Sequence, residues 1–130
     1  MIKFLKIVPV LGLCLVSYSC YYDVEPEEED IPDIPDTQEI SFSEDIQPLF
    51  VQSGKDCTAC HNGNVANPDL REGNAYNSLV PAYVTAGDSE GSILYQRAPG
   101  NNHPLDVGFT LDTDEIALIK SWIDRGAENN

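Results

Sequence analysis

The sequence predicts a small all-α domain of three to four short helices joined by long loops, and three observations carry that prediction. Apolar side chains recur at helical spacing in two stretches, Ile46, Leu49 and Phe50, then Ile116, Ile119, Trp122 and Ile123. No run of useful length alternates apolar and polar residues as a half-buried strand does. Between the two stretches Pro81, Gly87 and Gly91 punctuate the chain, so anything helical there is a single turn.

The first helix is expected over Ser43 to Val51. Ser43 supplies an N-cap, and Glu44 and Asp45 fill the first turn, where the helix dipole favours negative charge. Pro48 bends this helix without preventing it. Two single turns come next, Ala75 to Leu79 and Ser92 to Arg97. The last helix starts after Asp112, whose spacing to Glu115 reads as a capping box, and stops at Gly126, which accepts a left-handed conformation. Trp122 reads as a core residue.

The chain of 130 residues holds one domain. Lys3 and Lys6 precede a short apolar run, Ile7 to Val16, and residues 1–19 read as an export signal. The run falls short of the roughly 20 apolar residues that span a bilayer. Ser17-Tyr18-Ser19-Cys20 resembles a bacterial lipobox, although Ser17 and Tyr18 stand where that pattern prefers Leu and a small residue. The resemblance implies lipidation of Cys20 and attachment to a membrane surface, on the periplasmic side or at the cell surface. Residues 20–38 then form an acidic, proline-rich spacer. It carries Glu25, Glu27, Glu28, Glu29, Asp30, Asp33 and Asp36, with prolines at 26, 32 and 35. The folded domain is expected over 39–130.

Cleavage of the signal removes Lys3 and Lys6, leaving five basic against 22 acidic residues, so the net charge moves from −15 to −17. That balance excludes nucleic acid, which requires basic patches. It favours a partner protein with a basic docking face.

With Cys14 in the signal and Cys20 as the anchor, Cys57 and Cys60 remain for the domain. They belong to Cys57-Thr58-Ala59-Cys60-His61, the C-x-x-C-H pattern of covalent haem attachment. Two thiols about one turn apart reach the two vinyl groups of one haem, and the next residue brings an imidazole to the iron. Three rivals stand beside this. A thioredoxin-like pair requires a βαβ setting, which is not visible. A zinc site would draw on Cys57, Cys60, His61 and His103, without a second close-spaced pair. A plain disulfide leaves His61 without a role.

From Ile40 to Ala127 the chain resembles the monohaem cytochrome c-like domains of bacterial exported proteins. The likeness rests on Phe42 to Phe50, on the C-x-x-C-H, on Ser92-Ile93-Leu94-Tyr95-Gln96-Arg97, and on Leu111 to Ala127. It implies a small cytochrome c-like fold around one covalent haem c, held by Cys57 and Cys60 with His61 as proximal iron ligand. It also implies crossed terminal helices, with Phe50 against Trp122 or Ile119. The family's usual distal ligand is a Met before the last helix, but Met1 is the only methionine here, and His103-Pro104 stands at that place. His103 is therefore the expected distal ligand, with Lys55, Lys120 or an open site as alternatives. Arg97 is a candidate partner for a haem propionate. Leu94, Tyr95, Leu105, Val107 and Phe109 are candidate pocket-lining residues.

The function expected is electron transfer by a non-enzyme, with no small-molecule substrate. The alternative is a gas or redox sensor, or a peroxide-reactive domain, with a displaceable distal ligand.

Overall fold

The structure is a computed structural model describing residues 30–100 and 102–130. The expected signal, Cys20 and the first part of the spacer lie outside the described residues.

The chain winds where the first helix is expected, but not as an α-helix. Phe42–Ile46 is a π-helical turn and Gln47–Phe50 a 3-10 turn. The cap is Ser41 rather than Ser43. The Ser41 hydroxyl accepts from the Glu44 N–H at 3.3 Å, and the Ser41 N–H donates to the Asp45 carboxylate at 2.7 Å. Pro48 accounts for the change of winding. It has no N–H, and its ring crowds the carbonyl four residues back. The turn before it therefore opens and the turn after it tightens. The apolar stripe still faces inward, with Phe42, Ile46, Leu49 and Phe50 buried.

Two short strands come next, β1 (Val51–Gln52) and β2 (Lys55–Asp56), paired antiparallel with Gln52 opposite Lys55. The sequence pattern predicts no strand here, because pairs this short carry no alternation. The available signal is the Ser53–Gly54 turn, where Gly54 has φ 84°.

A 3-10 turn (Cys57–Ala59) and three α-helices follow among the described residues: α1 (Ala75–Leu79), α2 (Ile93–Gln96) and α3 (Thr113–Asp124). The Asp112–Glu115 capping box is formed in both directions, at 3.0 and 2.8 Å. At the other end Gly126 has φ 109°. Its N–H bonds to the Ile123 carbonyl at 3.0 Å and the Ala127 N–H to the Trp122 carbonyl at 2.9 Å, a Schellman closure.

The core lies between α3 and the N-terminal π turn. The Trp122 ring packs on Phe42 with centroids 5.2 Å apart, and Tyr76 stands edge-on to Phe42 at 5.3 Å. Phe42 and Tyr76 are thus the aromatic partners of Trp122, while Phe50 is buried in the same cluster. Burying each such large apolar side chain contributes about 1.5–3 kcal/mol.

The end of the acidic spacer is folded onto α3. Ile31 and Ile34 pack against the core. The Arg125 guanidinium donates to the carbonyls of Ile34 at 2.8 Å, Pro35 at 3.2 Å and Gln38, and lies 3.8 Å from Asp36.

Candidate functional site

The hairpin returns the chain to the core immediately before the cysteine motif. Asp56 then caps the 3-10 turn Cys57–Ala59, its carboxylate accepting from the Thr58 N–H at 2.9 Å and hydroxyl at 2.6 Å. The Cys57 carbonyl accepts from the N–H of Cys60 at 3.2 Å and of His61 at 2.8 Å. Cys57, Cys60 and His61 consequently share one turn at i, i+3 and i+4, the spacing that puts side chains on one side. Asn62 orders the chain beyond His61: its side-chain oxygen accepts from the N–H of Asn64 and Val65, both at 3.1 Å.

Both thiols are free; Cys57 is half-buried and Cys60 exposed. Burial, then the neighbouring Asp56 and Glu115 carboxylates, push the Cys57 thiol up to about 11. A thiol held protonated is a poor nucleophile for disulfide exchange.

His103 comes from a loop closed at its neck, where the Leu111 N–H bonds to the Pro99 carbonyl at 3.0 Å. Gly100 fits that neck because it has φ 94° and because a Cβ there would sit 3.2 Å from the Thr110 Cβ. Past the neck, Asn102 also takes a positive φ, 59°.

The structure brings the two histidine rings together, with centroids 6.2 Å apart and planes at 83°. Their hydrogen bonding differs. His103 Nδ1 lies 2.8 Å from the Leu105 carbonyl oxygen and 3.3 Å from the Leu105 backbone nitrogen, so the Leu105 backbone holds this edge of the ring. The Nδ1 of His61 is buried and has no hydrogen-bond partner. A histidine kept for core packing ordinarily has its polar atoms satisfied. The separation of the two rings suits a metal between them.

Among the described residues, no three His, Cys, Asp or Glu side chains converge on a point that could hold a metal ion, so the four-ligand zinc arrangement is not assembled. A porphyrin iron takes only its two axial ligands from protein side chains, and a neighbouring pair of imidazoles offers two. The lysine alternatives are engaged elsewhere: Lys55 with Glu115 at 2.6 Å and Lys120 with Asp124 at 2.7 Å.

Arg97 is exposed at the end of α2. Lys55, Arg71, Lys120 and Arg125 all meet carboxylates, whereas Arg97 meets none among the described residues. Of the candidate pocket-lining residues, Tyr95 belongs to the core, Leu94 packs against it, and Leu105 is 71% exposed. Val107 and Phe109 are half-buried. A cleft of about 780 Å³ lies instead beside the loop neck, lined by Ile31, Tyr95, Gly100, Thr110, Leu111 and Ile116 among others, and none of the four Cys and His residues lines it.

Sequence reasoning missed the staple beneath the site. Gln52 and Lys55, opposite one another in the hairpin, donate to the two oxygens of Glu115, each at 2.6 Å. Burial raises the Glu115 carboxyl, but the Lys55, Asp112 and Gln52 hydrogen bonds outweigh it and hold the group below its ordinary range. Glu115 thus caps α3 and also ties the hairpin ahead of Cys57 to it. The Asp112–Glu115 spacing revealed the cap; no local pattern revealed the two distant donors.

The chain matches no protein-family model, no curated protein and no solved structure.

Proposed function

We propose that this chain carries one covalently attached haem c and transfers electrons, with Cys57 and Cys60 as the thioether cysteines and His61 and His103 as the axial ligands. The observation that carries the reading is the His61–His103 pair, 6.2 Å apart, with His61 belonging to the C-x-x-C-H turn. Haem supplies a one-electron iron couple. The protein's contribution is to fix two imidazoles, to orient one of them through the Leu105 carbonyl, and to anchor the attachment turn through Asp56 and the hairpin. Among the described residues, two of the four large apolar side chains left exposed, Val65 and Leu105, lie four and two residues past the histidines. A flat apolar group between the rings would give them something to cover.

Two imidazoles in place of an imidazole and a thioether favour ferric iron, so the potential sits below that of His/Met relatives. The exposed acids beside the ligands, Asp56 and Asp106, suit a redox partner with a basic docking face, and that encounter weakens with salt. The lipid on Cys20 keeps the domain at a membrane on the exported side.

The test is a denaturing gel stained for haem, run on full-length protein made with the attachment machinery. Stain that comigrates with the chain and disappears in C57S/C60S is expected. An unstained wild-type band contradicts the assignment. Absence of carbon monoxide binding by the reduced protein is expected of a carrier; ready binding transfers the reading to sensing or peroxide chemistry.

A further inference from the structure

The relative orientation of the two histidine rings has a consequence for the electronic state of the iron they would share. Metal–imidazole bonds are about 2 Å long and the ligating nitrogen lies about 1 Å from its ring centre, so two imidazoles on opposite sides of one metal have centroids roughly 6 Å apart. The observed separation is 6.2 Å, and the planes stand at 83°. Each ring is held in its plane. His103 is pinned by the 2.8 Å contact from Nδ1 to the Leu105 carbonyl, in a loop whose neck is closed by the Leu111–Pro99 bond. His61 comes directly after the capped turn at Cys57, and its Nδ1 edge is buried in the protein.

We propose that His61 and His103 ligate the haem iron with their imidazole planes close to perpendicular, and that the contact of His103 Nδ1 with the Leu105 backbone sets the orientation of the distal ring. The inference rests on the haem reading above and goes beyond it in specifying the ligand field. A filled imidazole π orbital raises the iron d orbital directed along it. Parallel rings raise the same orbital and split the pair. Perpendicular rings raise both orbitals alike and leave them nearly degenerate. The unpaired electron of low-spin ferric iron then keeps much of its orbital angular momentum.

Electron paramagnetic resonance of the ferric full-length holoprotein at liquid-helium temperature tests this. A strongly anisotropic low-spin signal, dominated by one feature at unusually low field, is expected. His103→Ala should abolish that signal and give high-spin iron with the haem still attached. A well-resolved three-line rhombic low-spin spectrum in the wild type overturns the perpendicular arrangement while leaving two-imidazole ligation standing. A low-spin signal unchanged in His103→Ala overturns His103 as a ligand. A protein without haem overturns both the inference and the reading beneath it.

Discussion

At the scale of single residues, the account turns on side chains whose surroundings set their chemistry. Cys57 and Cys60 are three residues apart, but Cys60 is exposed, whereas burial and then the Asp56 carboxylate push the half-buried Cys57 thiol up to about 11. In haem-free protein, iodoacetamide at pH 8 should therefore modify Cys60 well before Cys57, with Cys57 reacting only as the pH approaches 11. Peptide mass analysis reads this directly, and equal rates at the two sites would contradict the described environment. His103 makes a second prediction. His103→Met should raise the reduction potential of the holoprotein and introduce the near-infrared band of a sulfur-ligated ferric haem; an unchanged potential and spectrum would mean that His103 does not touch the iron. These residues were legible because the chemistry of C-x-x-C-H is local, and because one histidine remains in a chain whose only methionine is Met1. The Leu105 carbonyl that orients His103 was not legible, since a backbone acceptor has no side-chain signature.

At the scale of elements, locality again separates what the sequence reveals from what it hides. The capping box and the Gly126 stop of α3 are formed by neighbours in the chain, so their pattern is readable. The winding of 42–50 depends on how the chain accommodates Pro48, and the hairpin on a turn at Gly54 between pairs too short to show a period. The bridge from Gln52 and Lys55 to Glu115 spans some sixty residues of sequence and becomes visible only once α3 packs behind the hairpin. Its energetic role has a definite sign. Although burial alone raises the Glu115 carboxyl, the hydrogen bonds from Lys55, Asp112 and Gln52 hold it below its ordinary value of 4.5. The folded state therefore gains stability from Glu115 above the unfolded carboxyl range and loses it as pH falls through the lowered folded value. Glu115→Gln should cost on the order of 1 kcal/mol at neutral pH and flatten the acid limb of the stability–pH profile, as measured by denaturant unfolding. An identical acid limb in wild type and variant would contradict the staple.

At the scale of the whole molecule, the boundary between spacer and domain lies earlier than composition suggests. Acid and proline content marks everything to Gln38 as extended, yet Ile31 and Ile34 pack on the core and Arg125 holds the carbonyls of Ile34, Pro35 and Gln38. Two isoleucines among acids are a weak sequence signal, and a single arginine some ninety residues away supplies the grip. Arg125→Ala should release this segment: cleavage within 31–38 by a broad-specificity protease should accelerate several-fold while the remainder stays resistant. Unchanged cleavage would show that the apolar contacts of Ile31 and Ile34 suffice without the guanidinium.

The absorption spectrum of purified full-length protein, oxidised and then reduced, tests the central claim most directly. The account predicts a six-coordinate low-spin haem in both states, with the sharp bands of a thioether-attached haem on reduction, and a haem that stays with the chain through denaturation and acid–acetone extraction. A colourless protein from maturation-competent cells, or a pigment removed completely by that extraction, would contradict it.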